Sequence, residues 1–417
     1  MSGETLTIDR LGTHGDGIAE TEKGPVYVPF TLPRETATVA REGETGTLIA
    51  LTQAAPERAE PPCPHFGPDG EGGACGGCNL QHLETDAYRV WKREQVVRPL
   101  AMNGIETEIA PLYPCEPGAR RRMVLTARRT ENGMLVGFNQ AGSHNIVPII
   151  GCLVGDPRIV KHLASVRRIA RAVCATRKPF RLTVFASETG LDIAAEGAGR
   201  VSTRQRQMAI ETALSMKVLA RLTVDGETLV EARQPIVRFG GISVVPPPGA
   251  FLQASAAAED RMADLVLGHL AGAKRIADLF AGCGAFALRL AREAAVITAE
   301  SEGPALAALD AAARHATGLK PVEIDRRDLF RRPLMAADLK YTEAVVFDPP
   351  RAGAEAQAHQ LAASKVCRVA AVSCNPATLA RDLAILVEGG FAIDAVHPID
   401  QFLWSPHVEA VALLTRR

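Results

Sequence analysis

A cysteine and an aspartate, each at the end of a predicted strand, have the settings best suited to chemistry in this chain. Cys374 follows the apolar run 370–373 and precedes Asn375-Pro376, a sequence that ends a strand and begins a helix. Asp348 follows another apolar run and begins a rigid Asp-Pro-Pro turn. A helix start offers free backbone amides, so we expect the pKa of Cys374 to fall below the free value of about 8.5, which favours the thiolate nucleophile. Two such strand ends side by side predict an active site for attack on a planar, electron-poor ring.

A carboxylate at the start of the last apolar run is a third candidate. Glu409 lies in His-Val-Glu-Ala-Val, where an unpaired buried acid would cost free energy. Two interpretations fit these residues: a salt bridge at the end of the strand, or an acid kept for proton transfer.

A Gly-x-Gly turn after a strand predicts a cofactor site. Residues 278–284 read Asp-Leu-Phe-Ala-Gly-Cys-Gly, in which glycines allow a ligand to approach closely and the next helix offers free amides. The third position of the dinucleotide fingerprint is Ala287 instead of glycine. Glu300, or Glu302, suits a ribose diol after the next strand, and Asp328 follows a third strand. This set predicts an S-adenosylmethionine site; an NAD-type or purely structural Rossmann domain is the alternative.

Four cysteines have the spacing of a metal centre. Cys63, Cys75 and Cys78 lie in Cys-Pro-His-Phe-Gly and Cys-Gly-Gly-Cys, and Cys152 is our choice for the fourth ligand. Four thiolates fit tetrahedral zinc or a cubane iron–sulfur cluster equally well by spacing alone. We interpret His65 as a polar neighbour of the centre. The alternative is a set of cysteines that only packs.

The composition limits the classes of protein that the chain can belong to. Of its 417 residues 47% are hydrophobic, and only 5% are aromatic, which argues against a broad stacking platform for single-stranded nucleic acid. The net charge is zero, so any contact with nucleic acid must use local basic patches. There is no apolar run of roughly 18 residues and no signal peptide. We therefore expect a cytoplasmic, monomeric protein without membrane contact, and the nine cysteines argue for metal or catalytic roles and against a disulfide framework.

The chain divides into three predicted domains of a mainly α/β protein. Residues 1–60 contain short alternating strands typical of a small OB-type β-barrel, or of a β-rich cap. Residues 61–248 have an α+β pattern, and the helix 86–103 within them is expected to pack on the catalytic domain. Residues 249–417 alternate strands and helices, which predicts a doubly wound, Rossmann-like sheet.

Basic runs in the middle region predict a phosphate track. They are Arg120-Arg121-Arg122, Arg128-Arg129, and Arg167-Arg168 with Arg171. Such runs are usually solvated faces, but these fall in the region that also contains the four cysteines.

The motifs together resemble the RNA uracil-5 methyltransferases, most closely the bacterial 23S ribosomal RNA enzymes that have a TRAM domain and a 4Fe–4S cluster. The likeness extends over nearly the whole chain. Its most specific parts are Ser-Cys-Asn-Pro-Ala-Thr-Leu-Ala-Arg-Asp, from Ser373, and His-Val-Glu, which ends at Glu409. Two departures are a longer loop between Cys63 and Cys75 and Ala285 in place of a frequent Asn.

The resemblance implies a role for each matching residue. Cys374 would be the nucleophile and Glu409 the general base. Residues 1–60 would be the TRAM domain, and residues 249–417 a class I methyltransferase domain. The cofactor site would be lined by Gln253, Phe280, Glu300, Asp328 and Asp348, and the 4Fe–4S cluster would be held by Cys63, Cys75, Cys78 and Cys152.

The implied activity is S-adenosylmethionine-dependent methylation of C5 of one uridine in RNA, most specifically 23S rRNA, through a covalent bond between Cys374 and C6. The alternatives are a transfer RNA uridine-5 methyltransferase and a non-catalytic iron–sulfur RNA-binding protein. The last of these leaves Cys374 and Glu409 unexplained.

Overall fold

Residues 3–417 are described here in a computed structural model, which begins with a sheet of short strands. In β5 Ala37 and Val39 are buried while their neighbours are more exposed, so the alternation of the sequence becomes a one-sided apolar face. The sheet has the order β1-β5-β6-β4-β3-β2. Its six strands are β1 (Glu4–Thr7), β2 (Arg10–Leu11), β3 (Gly17–Ala19), β4 (Val26–Val28), β5 (Thr36–Glu42) and β6 (Thr45–Gln53).

A long helix, α1 (Thr85–Met102), follows this sheet and a loop rich in cysteine. Its N-terminus is capped by the carboxylate of Glu84, which accepts hydrogen bonds from the backbone N–H groups of the next turn. Val96 and Leu100 lie in the same apolar core as the last sheet of the chain. The helix thus packs against the C-terminal part of the molecule.

The middle of the chain forms a seven-stranded sheet with helices on it. In α3 the buried residues recur at helical spacing and pack on the sheet, as do the few buried residues of α4. The sheet has the order β13-β12-β11-β10-β7-β8-β9, and a separate hairpin, β14–β15, follows it. The strands are β7 (Arg122–Thr130), β8 (Gly133–Asn139), β9 (Ile146–Pro148), β10 (Phe180–Ala186), β11 (Leu191–Glu196), β12 (Leu219–Val224), β13 (Glu227–Glu231), β14 (Val237–Phe239) and β15 (Ile242–Val244), and the helices are α2 (Pro157–Val160), α3 (Leu163–Val173) and α4 (Thr203–Leu214).

The last part of the chain is a second seven-stranded sheet with the order β18-β17-β16-β19-β20-β22-β21. Its first five strands in this order are parallel, and β22 is antiparallel to both of its neighbours. The strands are β16 (Arg275–Leu279), β17 (Ala295–Glu300), β18 (Val322–Arg326), β19 (Ala344–Phe347), β20 (Arg368–Ser373), β21 (Phe391–Ile399) and β22 (Glu409–Arg416), and the helices are α5 (Ala256–Leu270), α6 (Ala287–Leu290), α7 (Gly303–His315), α8 (Glu355–Ala363) and α9 (Pro376–Glu388).

Apolar cores cover both faces of this second sheet. Ile276 and Val346 belong to the core on one face, whereas Ala277 and Val345 belong to the core on the other, which also includes α1. Central strands that are buried on both faces explain why the sequence shows continuous apolar runs here. The strand order reverses between β16 and β19, and open α/β sheets bind ligands at the carboxyl ends of the strands at such a point.

No helix in the described part of the chain combines the length and the hydrophobicity needed to cross a bilayer.

Candidate active site

The pairing of two strands brings Cys374 and Glu409 to the same edge of the sheet. Ser373, the last residue of β20, pairs with Ala410 of β22, so the residues that follow and precede them, Cys374 and Glu409, are neighbours at the carboxyl end of β20. Asn375 then caps α9 by accepting a hydrogen bond from the N–H of Ala377, at 3.1 Å. The half-buried thiol therefore stands at the junction of a strand and a helix.

Asp348 is joined to the same edge by an amide. It follows β19, and its N–H donates to the carbonyl of Leu279 on the neighbouring strand, at 3.2 Å. Its Oδ2 accepts a hydrogen bond of 2.8 Å from Nε2 of the buried Gln253. Gln253 is held in turn by Arg121, whose Nε donates to the Gln253 carbonyl at 3.0 Å. The structure thus places Asp348 and Gln253 in direct contact.

Gln401, which the sequence analysis did not single out, connects these residues. It follows the end of β21 by two positions and is only 3% exposed. Its Nε2 donates to Oε1 of Gln253 and to Oε1 of Glu409, both at 2.7 Å. Its own Oε1 accepts from the N–H of Ala254 at 2.9 Å. The only signal in the sequence is the polar pair Asp400-Gln401, which lies between apolar residues close to His-Val-Glu.

Burial and mutual repulsion raise the pKa values of the three candidate catalytic groups, Glu409, Asp348 and Cys374. The pKa of the buried Glu409 lies well above its usual range, first because of burial and then because of the charge of Asp348. Burial raises the pKa of Asp348 to about 7. The pKa of Cys374 is raised to about 11 by burial and by the charges of Glu409 and Asp348, and the nearby Arg351 only partly opposes this. The prediction of a lowered cysteine pKa was therefore wrong, because burial and two nearby carboxylates outweigh the helix start.

The loop that contains Gln401 is fastened to α1. The Lys92 ammonium lies 2.8 Å from Oδ1 of Asp400 and donates to the carbonyls of Phe402 and Ser405, at 2.9 and 2.6 Å. The Tyr88 hydroxyl donates to Oδ2 of Asp400 at 2.6 Å. Lys92 and Asp400 are 0% and 1% exposed, so this is a fully buried ion pair.

Three of the predicted cofactor residues, Phe280, Glu300 and Asp328, lie at or just after the carboxyl ends of β16, β17 and β18. Phe280 has a φ of +62°, a left-handed conformation that is strained for a bulky residue and is often found at ligand sites. The Glu300 carboxylate accepts hydrogen bonds from the N–H groups of Gly282 and Glu302, at 3.0 and 2.8 Å. Glu300, not Glu302, thus supplies the acid beside the glycine turn. Asp328 accepts from a backbone N–H two residues on, where the ring of Phe330 lies 5.5 Å from that of Phe280.

Asp278 organises the glycine turn from inside the sheet. It is fully buried, and its Oδ2 accepts from the N–H of Ala287 at 2.8 Å. Burial raises its pKa well above the usual range. Gly284 has a φ of +90°, and a Cβ there would lie 2.3 Å from Leu309, so only glycine fits. The sequence analysis quoted Asp278 in the motif but did not assign it a role; an acid inside an apolar strand was the available signal.

The four predicted metal ligands line one cavity. Cys63, Cys75, Cys78 and Cys152 surround a space of about 550 Å³, and none of them forms a disulfide. Burial raises the pKa of Cys78 to about 12. Within residues 3–417, however, no three His, Cys, Asp or Glu side chains are arranged closely enough to hold a metal ion as they stand. Cysteine sulfur is the donor type that zinc and iron–sulfur centres use, so the chemistry of this set, though not its present arrangement, suits a thiolate centre.

Both ring nitrogens of His65, which lies beside these cysteines, contact backbone groups. Its Nε2 accepts from the N–H of Ile150 at 3.1 Å, and its Nδ1 lies 2.7 Å from the carbonyl of Glu71. A ring nitrogen that accepts from a backbone amide has no lone pair left for a metal. This geometry agrees with its interpretation as a polar neighbour.

The cysteine cavity reaches the loop after β21. Arg351 and His407 line the cavity together with the cysteines, and a nitrogen of Arg351 lies 3.0 Å from Nε2 of His407. The backbone N–H groups of Asn79 and Leu80, directly after Cys78, both donate to the Trp404 carbonyl, at 2.7 and 3.1 Å. The loop that contains Cys78 and the loop after β21 are therefore in direct contact.

One basic run does not form a phosphate track. Arg121 is buried and donates to the Glu259 carboxylate at 2.7 Å, so it joins the two seven-stranded parts of the chain and is not open to solvent. Arg122 donates to the carbonyl of Ala250. Only Arg120 of this run lines the cysteine cavity. The prediction was wrong for Arg121, because its guanidinium pairs with the buried carboxylate of Glu259 and is not available to a phosphate.

Comparisons with known proteins agree with this architecture. The family model of the tRNA (uracil-5-)-methyltransferases matches residues 242–417. An uncharacterised RNA methyltransferase of Rhizobium meliloti is 55% identical over 416 residues, with 100% of both chains covered. A 23S rRNA (uracil(1939)-C(5))-methyltransferase of Chromohalobacter salexigens is 32% identical over 443 residues, which cover 100% of this chain and 90% of the relative.

A solved structure has the same fold along the whole chain. The tRNA (uracil-54, C5)-methyltransferase of Pyrococcus abyssi, in complex with S-adenosyl-L-homocysteine, superimposes with a TM-score of 0.74 at 21% identity. The superposition covers 99% of this chain and 100% of the other. Full-length relatives, the family model and the arrangement of Cys374 beside Glu409 agree with one another, and the chain belongs to the RNA (uracil-5-)-methyltransferases.

Proposed function

We propose that this enzyme methylates C5 of a specific uridine in 23S rRNA through a covalent bond between Cys374 and C6 of the base. The strand pairing that sets Cys374 beside Glu409 is the observation on which the mechanism depends. The choice of 23S rRNA is supported by the relative from Chromohalobacter salexigens, which aligns over the entire chain.

The residues present can perform each step of such a reaction. The half-buried Cys374 thiol loses its proton to water, and the thiolate adds to C6, which makes C5 a nucleophile. S-adenosylmethionine, when bound, supplies the methyl group that C5 accepts. Glu409 then removes the C5 proton, the C5–C6 double bond forms again, and the C6–S bond breaks to release Cys374. Asp348 and Gln253, in contact at the same edge, are placed to orient the base and the cofactor.

The cofactor residues fit a nucleoside that bears a positive charge. The Glu300 carboxylate beside the glycine turn can accept ribose hydroxyls, and Phe280 and Asp328 can border the adenine. Asp348 offers a negative charge at the switch point of the sheet, where a sulfonium is attracted.

We also propose that Cys63, Cys75, Cys78 and Cys152 hold a 4Fe–4S cluster and that the N-terminal six-stranded sheet is a TRAM-like domain. The support for the cluster is a set of four free thiols around one cavity. Analysis of protein purified without oxygen for iron, acid-labile sulfide and zinc separates the two metals: about four irons and four sulfides per chain favour the cluster, and about one zinc opposes it.

The reaction is tested with 5-fluorouridine, whose C5 fluorine cannot be removed as a proton. The protein is incubated with S-adenosylmethionine and with 23S rRNA or transfer RNA that contains 5-fluorouridine, and then analysed by mass spectrometry. We expect a covalent protein–RNA adduct with 23S rRNA that is absent in Cys374→Ala. The exposed Cys367→Ala is the matched control and should form the adduct.

Two other outcomes would change the conclusion. An adduct with transfer RNA alone would contradict the assignment to 23S rRNA. The absence of any adduct, with the cofactor shown to be bound, would contradict the covalent mechanism.

A further inference from the structure

The orientation of the Gln401 amide is fixed by its partners. The Ala254 backbone N–H can only donate, so the Gln401 oxygen must face it, and the NH₂ group must face the other two partners. Its two hydrogens go to Oε1 of Gln253 and Oε1 of Glu409. Gln401 is therefore a buried side chain whose amide has partners on both its oxygen and its nitrogen.

This arrangement makes the two oxygens of Glu409 unequal. Oε1 is held by Gln401, whereas Oε2 is buried without a hydrogen-bond partner among the described residues. Rotation of the carboxylate would leave a buried Gln401 donor unpaired, which costs about 1–3 kcal/mol. One oxygen is thus anchored, and the other is left as a proton acceptor.

The same amide chain extends to Asp348. Because Oε1 of Gln253 accepts from Gln401, the Gln253 NH₂ group must face Asp348, as observed at 2.8 Å. A single backbone N–H, that of Ala254, therefore sets the direction of two successive amides and the orientation of both carboxylates.

We propose that Gln401 is a positioning residue that holds Glu409 with Oε2 directed at the C5 proton; this inference rests on the proposed function. In the step concerned, the C5–H bond breaks and the proton bonds to Oε2. The electron pair of that bond forms the C5–C6 double bond again, and the pair of the C6–S bond returns to the sulfur of Cys374. Gln401 does not touch the substrate in this step.

The test is Gln401→Met, which keeps the length of the side chain and removes the amide. With ordinary uridine RNA and S-adenosylmethionine, the step that releases Cys374 should slow by roughly 10- to 100-fold. The methylated protein–RNA adduct should then accumulate and survive denaturation, because the release of Cys374 should slow by a larger factor than the formation of the adduct with 5-fluorouridine RNA.

The pH profile is a second readout. The hydrogen bond from Gln401 lowers the pKa of Glu409, so its loss should move the rising limb of the release rate to higher pH. Asp348, Arg351 and Cys374 also face Glu409 and are unchanged in the variant. The isosteric Gln401→Glu, which fills the same space, should shift the limb in the same direction and serves if Gln401→Met does not fold.

A buried glutamine elsewhere in the domain provides the control. Gln357 is 1% exposed, and both ends of its amide bond the backbone of Leu334. Gln357→Met should lower stability without accumulation of adduct. A Gln401 variant that releases Cys374 at the wild-type rate and has an unchanged pH profile overturns the inference. A variant in which the rate of adduct formation falls only as much as the free energy of unfolding falls overturns it too. No adduct between wild-type protein and 5-fluorouridine RNA overturns the proposed function and the inference with it.

Discussion

The catalytic edge of the last sheet and the cysteine cavity beside it are built by different means. At the edge, strand pairing sets the positions, and directed hydrogen bonds between Gln253, Gln401 and Glu409 set the orientations. In the cavity, Cys63 to Cys78 and the distant Cys152 come from loops, and their mutual contacts are not fixed by any ladder. The edge is therefore organised by strand pairing and directed hydrogen bonds, whereas the cavity is organised by loops.

A substitution at the catalytic edge should affect chemistry much more than stability. In Glu409→Gln the shape is kept and the base is lost, so we expect turnover to fall by about 10²- to 10⁴-fold. The free energy of unfolding should change little, because the neutral amide avoids the cost of burying a charge. Turnover and urea unfolding measured on the same preparation check this. A variant as unstable as it is inactive would show that the edge also depends on this residue for folding.

A substitution in the cavity should have the reverse effect. In Cys78→Ser we expect the proposed cluster to be lost and the unfolding free energy to fall by several kcal/mol, because metal binding is coupled to folding. Adduct formation by Cys374 should persist at a reduced rate, because strand pairing still sets the edge. Iron content and thermal unfolding are the measurements, and the exposed Cys367→Ser is the control. Complete loss of adduct formation would mean that the two regions are not separable.

The smallest expected effect concerns Asp348 and the way in which the free energy of unfolding depends on pH. The pKa of Asp348 is raised to about 7 in the folded protein, from an ordinary value near 3.9. The folded state retains a proton that the unfolded state loses, so Asp348 makes stability fall as the pH rises from about 4 to about 7. Asp348→Asn should make this decline shallower. Burial still raises the pKa of Glu409 in the variant, so part of the decline remains, although the loss of the Asp348 charge reduces that shift as well. Urea unfolding at pH 5 and pH 7.5 measures the change, and an unaltered slope would contradict the prediction.

The sequence predicted the elements that depend on local pattern. The run 344–347 is strand β19 as predicted, and Cys374 follows β20 directly before a capped helix. Those predictions succeeded because central parallel strands are apolar throughout and because Asn-Pro marks a helix start. The helix that the sequence predicts after the glycine turn is short, since α6 extends only from Ala287 to Leu290.

The sequence could not reveal what depends on distant partners. Gln401 meets Gln253 across 148 positions of the chain, and nothing local marks that contact. The raised pKa of Cys374 results from burial and from the charges of two carboxylates, Glu409 and Asp348, that belong to other strands. Arg121 had the pattern of a surface residue but lies opposite the buried Glu259. Electrostatic environment and hydrogen-bond direction follow from the fold, so they were the parts that sequence reasoning missed.

The buried pair between Lys92 and Asp400 limits how the enzyme can be divided into fragments. A fragment that starts at residue 249 would have the whole second sheet but would leave the Asp400 carboxylate without its ammonium partner. Loss of one partner of such a pair typically costs about 3–5 kcal/mol. The smallest independent catalytic unit therefore has to include α1 as well as the second sheet, and a shorter expression fragment should misfold around the loop that holds Gln401.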